Sequence, residues 1–468
     1  MAYRYQNSGF FIMAKKVLVI GAGISGLSAA WGLKKGGCDV KIIELKNRAG
    51  GVINTLSESG FRAESGSNSV MIQSQKTLDF IREIGLEGRL VHSSDVSKKR
   101  FFARGGRICE VPMSPLKMLF SRLFSLRGKI GFLKDFRAPK HDADSDPSVA
   151  QFTIDRLGVE ALDYGMNPFM AGIYGGSPEK LSIKYAFPPF WNLEQKYGSI
   201  IRGAMQSMKE KRAAGNFFKP IMISFKEGLA ELVERLADEL KGNLTVGAKI
   251  VSIDYDMGSW RVCWVCEHGE DCDQFDEVVF AVPAKDLKNL PIPGSLASKM
   301  EFLDGIVYAP VISFTMGFRR SEISHKLDGF GALLPEKERQ FSILGALFVS
   351  SVFEGRAPDG CATLTCYMGG MRHPEFFELE DEKLEEIALS DLQRLLGLDK
   401  SAKPMFKRIF RWKNAIAQYN VGYADVLEQL GELEREFPTV HMLGAYRGGV
   451  GVSSCIENGL ELAKKISR

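Results

Sequence analysis

"KVLVIGAGISGLSAAWGL", residues 16–33, is the stretch on which the reading of this chain turns. An apolar run of β-type residues leads into Gly21-Ala22-Gly23-Ile24-Ser25-Gly26, then into a helical stretch; "CDVKIIE" (38–44) follows and ends at Glu44. The run reads as a strand buried on both faces. Gly21 makes a tight turn, Gly23 lets backbone N–H groups approach a pyrophosphate, and Gly26 lets the helix pack close to the strand. The helix N-terminus brings partial positive charge to the phosphates. Glu44 stands where a carboxylate accepts hydrogen bonds from a ribose. Strand, turn, helix, strand and acid in this order predict a dinucleotide-binding βαβ unit, with Gly21, Gly23, Ile24, Ser25, Gly26 and Glu44 on the ligand.

A second glycine-rich turn lies more than four hundred residues away. "VHML" (440–443) reads as a strand, "GAYRGGVGVSSCIENG" (444–459) as a turn entering a terminal helix. Ser454 and Glu457 have the S-x-x-E spacing of a capping box for that helix. This turn is not a second G-x-G-x-x-G, so a second dinucleotide site for NADPH is not expected.

The bulk numbers bound the rest. A chain of 468 residues predicts two or more domains. With 45% hydrophobic and 25% charged residues it has the composition of a soluble enzyme. A net charge of +4 is too mild to argue for nucleic acid. No apolar run has the roughly 18 residues a spanning helix needs. Residues 1–13 read as an extension rather than a secretory signal. Eight scattered cysteines read as reduced thiols. Cys263, Cys266, His268 and Cys272 are close enough for a zinc ion, but Cys263 alternates along a strand and no second pair follows at finger spacing, so hairpin thiols are expected and no metal.

Residues 95–215 show no strong strand periodicity. Within them "SPLKMLFSRLFSLRGKIGFLKDFR" (114–137) sets Leu116, Leu119, Phe120, Leu123, Leu126, Ile130 and Leu133 at helical spacing, with Lys117, Arg122, Arg127, Lys129 and Lys134 between. Such a stretch either lies in a membrane interface or packs on a soluble substrate domain, and Gly128 and Gly131 weaken it as one long helix.

Downstream of Glu44, "ELKNRAGGVINT" carries Arg48, Gly50 and Gly51, and "FRAESGSNSV" (61–70) carries Glu64, Gly66 and Ser67. With "FDEVVFAVPA" (275–284), these resemble the flavin-binding signature of the amine oxidase, phytoene desaturase and protoporphyrinogen oxidase superfamily. "NPFMAGIYGGSPEKLSIKYAFPPFWNLEQKYGSIIRG" (167–203), "SSVFEGRAPDGCATLTCYMGG" (350–370) and the C-terminal turn resemble the protoporphyrinogen oxidase family more selectively. Two positions depart from that family, Ala417 and Tyr423, and leave substrate choice more open.

The resemblance implies an α/β fold: a Rossmann-type, amine oxidase-like FAD-binding domain, an α+β substrate-binding domain and a helical segment able to touch a membrane. The expected limits are 14–92, 220–300 and 433–468 for a discontinuous FAD domain, 93–219 for the helical membrane and substrate-access domain, and 301–432 for the substrate domain. It places FAD on Arg48, Gly50, Gly51, Gly66 and Ser67, on Val246 and Ala248 near the adenine, and on Gly444, Val450, Val452 and Ser453 at the isoalloxazine. The two glycine turns would then hold opposite ends of one flavin.

The activity implied is oxidation of protoporphyrinogen IX to protoporphyrin IX, six electrons in three hydride-type steps, with oxygen reoxidising the flavin to give hydrogen peroxide or a quinone taking the electrons. No acid–base pair or nucleophilic triad is expected where the cofactor carries the chemistry. Arg100 would pair a propionate, unless it is a plain surface arginine. Gly172 would offer its carbonyl to pyrrole N–H groups. Phe353 would stack on a pyrrole, unless it is a core ring. A coproporphyrinogen III oxidase is the nearest rival; an amine oxidase or carotenoid desaturase, or a flavoprotein that only carries a porphyrin, are further off. The expected setting is cytoplasmic, peripheral on the membrane where 114–137 touches lipid, with a homodimer as one possible assembly.

Overall fold

The computed structural model of the chain describes residues 14–112, 115–213 and 218–468. The expected extension at 1–13, residue 114 and the side chains of Leu116 and Leu119 lie outside the described residues.

A five-stranded parallel sheet carries the N-terminal motif. Its order is Leu244–Thr245, Asp39–Ile43, Lys16–Ile20, Glu277–Phe280, Val440–Met442. The run 17–20 is apolar throughout because both faces of the sheet are covered. Val17 and Val19 pack with the helix Ile24–Lys35 and the terminal helix Val452–Ile466, while Leu18 and Ile20 join Trp260, Val262 and Trp264 on the other face. Those tryptophans belong to an antiparallel three-stranded meander, Lys249–Asp256, Ser259–Cys266 and Gly269–Phe275.

The two helices bring the distant glycine turns together. A Cβ at Gly32 would stand 2.7 Å from the Ala463 Cβ, and one at Gly459 would stand 2.8 Å from the Ser25 carbonyl oxygen. Small residues at both contacts let the helix backbones meet, and the helix starts then share one end of the sheet.

A seven-stranded sheet forms the second layer, in the order Phe406–Ala417, Tyr308–Arg319, Cys361–Gly369, Gly345–Leu347, Gly331–Leu333, Phe101–Arg104, Arg107–Glu110. The last pair lies within 95–215, where no strong strand periodicity is seen: two four-residue strands are too short to show a period. The rest of that region, among the described residues, is helices joined by loops. Residues 115–136 form three short pieces, Pro115–Phe120, Leu126–Gly131 and Phe132–Phe136, rather than one long helix. A fully buried ion pair anchors them: Arg156 Nε donates to Asp135 Oδ1 at 2.8 Å, and Asp135 also accepts from Ser199 Oγ and the Ile200 and Ile201 N–H groups.

The cysteine expectation fails at one pair. Cys263 and Cys272 sit directly opposite each other on adjacent strands and form a disulfide; the other six are free thiols. Strand pairing, which cysteine spacing does not reveal, puts them together. Two of the three sulfurs weighed as metal ligands are therefore bonded to each other, and the third, Cys266, is a free thiol.

Candidate functional site

A cavity of about 360 Å³ opens between the carboxyl ends of the parallel strands and the face of the seven-stranded sheet. Ligands of open parallel sheets bind at that edge.

The first turn is built around an absent side chain. Gly21 has φ +103°, and a Cβ there would meet the Ala281 carbonyl oxygen at 2.8 Å; one at Gly26 would stand 2.0 Å from the Gly21 carbonyl oxygen. Those two glycines are required by the protein itself. Gly23 differs: it lines the cavity, and a Cβ there would meet no protein atom within 4 Å. The room at Gly23 therefore suits something other than protein, and Gly23 caps a helix whose start has no side-chain acceptor and no acidic residue in its first turn. A phosphate-bearing dinucleotide fits that cradle. Ile24 and Ser25 line the cavity beside it.

Glu44 is buried just past its strand. Its Oε2 accepts from Ala22 N at 2.7 Å and its Oε1 from Lys46 N at 2.9 Å, which fixes the carboxylate and leaves a lone pair on each oxygen for a ribose. Thr245 and Ala248 flank it: Glu44 N donates to the Thr245 carbonyl, Ala248 N to the Glu44 carbonyl. Val246 is exposed between them, Ala248 is buried, and neither lines the closed cavity. They would meet a ligand at the Glu44 end.

Arg48 donates through its guanidinium to the carbonyls of Ala49, Gly51 and Ile53 at 2.9–3.2 Å. The Gly50-Gly51 turn, with φ +103° and +59°, turns these carbonyls toward it, so Arg48 braces the loop with three of its five N–H donors. Gly50, Gly51, Gly66 and Ser67 line the cavity. Glu64 does not; it accepts from Thr55 Oγ1 at 2.7 Å and Leu229 N at 3.0 Å, and burial pushes its carboxyl up to about 7 against the pull of those bonds and of Arg356 and Arg62.

At the other end Gly444, Val450 and Val452 line the cavity, while Ser453 ties the helix to the Met71 carbonyl at 2.7 Å. Tyr419 pins the turn, accepting from Gly449 N and donating to the Ala445 carbonyl. The expected capping box is absent. The helix begins at Val452 with Gly451 as its cap, so Ser454 is already inside the first turn, and Glu457 accepts instead from Ser74 Oγ and Thr77 Oγ1. The uncapped start leaves its first N–H groups for a ligand that gathers negative charge.

Gly172, on the helix Asn167–Tyr174, lines the opposite wall; a Cβ there would meet Leu333 at 2.9 Å. Its carbonyl is one of the last four of the helix, which the helix leaves without an internal partner. Arg100 lies outside the cavity lining, half-buried over the Phe330 ring at 5.7 Å. It has no carboxylate partner among the described residues, and burial lowers its pKa. Of the two readings of Phe353, stacking ring or core ring, the structure shows the core ring: it is 2% exposed, packed on Leu347, Val349 and Val352, and does not line the cavity. Its helix Val349–Val352 turns it into the core.

The aromatic side chains that do line the cavity are Tyr308, Tyr367, Trp412 and Tyr446. Trp412 is fixed by its indole N–H on the Ser65 carbonyl at 2.7 Å. It borders a bulge in which residues 413–415 oppose only Pro310, which has no N–H to give the ladder. Sequence reasoning passed over these rings. Alternation along "CATLTCYMG" would have set Tyr367 on one face with Thr363 and Thr365.

The profile of the family described as flavin containing amine oxidoreductase matches residues 24–467. The mitochondrial protoporphyrinogen oxidase of Nicotiana tabacum is 30% identical over 484 residues, covering 96% of this chain and 94% of that protein. The coproporphyrinogen III oxidase of Bacillus subtilis is 27% identical over 469 residues, covering 95% of this chain and 96% of that protein. A crystal structure from Exiguobacterium sp. 255-15 superposes with a TM-score of 0.80 at 23% identity, covering 97% of this chain and 98% of that one, which shows the shared fold.

Proposed function

The chain belongs to the flavin containing amine oxidoreductase family as an FAD-dependent oxidoreductase, and we propose that it oxidises protoporphyrinogen IX to protoporphyrin IX. The observation that carries this is the full-length likeness to proteins named for porphyrinogen oxidation, joined to a cavity that runs without a break from Gly23 to Gly172 and Tyr367.

Bound FAD supplies the two-electron acceptor, with oxygen or a quinone taking the electrons onward. The chain's own residues do the positioning. Gly23 and the helix start behind it would hold the pyrophosphate, Glu44 a ribose, and Gly444 to Val452 the ring system. The Gly172 carbonyl would accept a pyrrole N–H across the cavity. Arg100, a half-buried cation with no carboxylate partner among the described residues, suits a propionate.

Coproporphyrinogen III is the second reading, favoured by the likeness to the Bacillus subtilis enzyme over nearly the whole chain. The ratio of kcat/KM for the two porphyrinogens separates them; a preference for the four-carboxylate substrate would replace the first reading with the second.

We further propose a peripheral contact with anionic membranes. Phe120 and Leu126 are 80% and 76% exposed, and Ile130 and Leu133 are exposed with them, among Arg122, Arg127, Lys134 and Arg137. The only acid of that stretch, Asp135, is buried on Arg156. Among the described residues no helix is long and apolar enough to cross a membrane, so the contact would lie in the interface. Failure to sediment with anionic vesicles at low salt would dismiss it.

A further inference from the structure

Two adjacent inner strands of the seven-stranded sheet carry a row of hydroxyls. Ser313 on Tyr308–Arg319 pairs directly with Tyr367 on Cys361–Gly369, and Thr315 pairs with Thr365 one rung further along the same face. Directly opposed residues in an antiparallel pair point to the same side. Ser313 and Tyr367 both line the cavity.

The deeper hydroxyls are satisfied inside the protein. Thr315 and Thr365 bond each other at 2.8 Å, and Thr363 donates to the Arg356 carbonyl at 2.7 Å. The rung at the cavity is not. Ser313 is 1% exposed and its Oγ has no partner among the described residues. The Tyr367 hydroxyl accepts from Asn68 Nδ2 at 2.6 Å, and the other amide atom, Asn68 Oδ1, is buried with no partner among the described residues. Turning the amide over exchanges donor and acceptor between Asn68 and Tyr367 but still strands one amide atom. Buried polar groups are nearly always paired, so each exception calls for a partner that comes from elsewhere. Around this island the cavity wall is apolar, with Ile173, Val311 and Leu344.

We propose that the hydroxyls of Ser313 and Tyr367, with Asn68 behind Tyr367, are positioning groups that hydrogen-bond the ring nitrogens of the bound macrocycle and set how it lies in the cavity. This rests on the porphyrinogen reading. A porphyrinogen presents only N–H donors at its centre, and its porphyrin product presents two N–H donors and two acceptor nitrogens. A hydroxyl accepts or donates by rotating about its C–O bond, so it serves both ends of the reaction. A charged group would not. Carboxylates of the same substrate belong with cations, and none lines this part of the wall.

The test uses purified holoenzyme: unmodified protein, Ser313→Ala, Tyr367→Phe and the double variant. Protoporphyrin IX binding is titrated by fluorescence, KM and kcat are separated with protoporphyrinogen IX, and the flavin spectrum, FAD content and melting temperature are recorded. Each variant is expected to weaken porphyrin binding and raise KM by about tenfold, the loss of one neutral hydrogen bond. The flavin spectrum and FAD content stay as they were. Ser313→Ala, which removes a stranded hydroxyl, keeps or raises the melting temperature of ligand-free protein. Unchanged KM and porphyrin affinity in both variants overturn the assignment, as does a shifted flavin spectrum or lost FAD, which would make these hydroxyls flavin contacts. If the unmodified protein neither binds porphyrin nor oxidises a porphyrinogen, the substrate reading fails there first, and this inference with it.

Discussion

Replacing Gly23 and Gly26 by alanine separates what the fold needs from what the cofactor needs. At Gly26 the added Cβ would stand 2.0 Å from the Gly21 carbonyl oxygen, which is backbone and cannot swing away. The helix Ile24–Lys35 would have to lift from its strand, so Gly26→Ala is expected to unfold or deplete the protein with or without FAD. At Gly23 the backbone has φ −71° and ψ 173°, open to any residue, and the Cβ meets no protein atom within 4 Å. Gly23→Ala then leaves the apoprotein as stable as before or raises it by about 0.4–1 kcal/mol, because alanine restricts the unfolded chain. The methyl group occupies the space where a pyrophosphate would approach. Losing one hydrogen bond to a charged group costs about 1.5–3 kcal/mol, roughly a ten- to hundredfold loss of FAD affinity. Thermal melting of apoprotein beside a flavin fluorescence titration reads both quantities. Equal destabilisation by the two substitutions, or undiminished FAD affinity in Gly23→Ala, would refute the reasoning.

Two further outcomes follow from buried charge. Asp135→Ala strips the fully buried Arg156 of the nearer of its two carboxylates, leaving Glu194 Oε1 at 3.4 Å, and urea unfolding should show a loss of about 3 kcal/mol, with a milder loss in Asp135→Asn. Glu64 is held protonated up to about 7 by burial, while in the unfolded chain it ionises near 4.5. The folded state therefore keeps a proton the unfolded chain has released, and its stabilising effect, complete below pH 4.5, fades as pH rises to about 7. The total is on the order of 3 kcal/mol. Glu64→Gln should flatten that slope in denaturant midpoints measured across the window; an unchanged slope would mean Glu64 ionises normally in the fold.

Much of the site was legible because its parts are local. The turn at Gly21–Gly26, the acid at Glu44 and the paired glycines at 50 and 51 each declare themselves within a dozen residues, and the first strand shows its double burial in the unbroken apolar run 17–20. The adjacency of the two glycine turns was legible only through the family likeness. Its physical cause, helix contacts at Gly32 and Gly459, joins residues more than four hundred apart. What escaped was pairing across strands. The Cys263–Cys272 disulfide, the Ser313–Tyr367 rung and its link to Asn68 depend on register, which no single stretch contains. For Phe353 the sequence leaves two readings open for a related reason: its neighbours in the chain look like those of a substrate contact, but a single helical turn at 349–352 points the ring inward. For Arg48 the sequence does not show that the turn's own carbonyls also take its guanidinium, because those contacts depend on how the glycine turn folds.

The most direct measurement mixes the flavin-loaded protein with protoporphyrinogen IX or coproporphyrinogen III in air and follows porphyrin fluorescence together with oxygen uptake. The account predicts rapid formation of protoporphyrin IX, with three oxygen molecules consumed for each porphyrin where oxygen is the acceptor. Bound flavin that oxidises neither porphyrinogen above the rate of free FAD would contradict it.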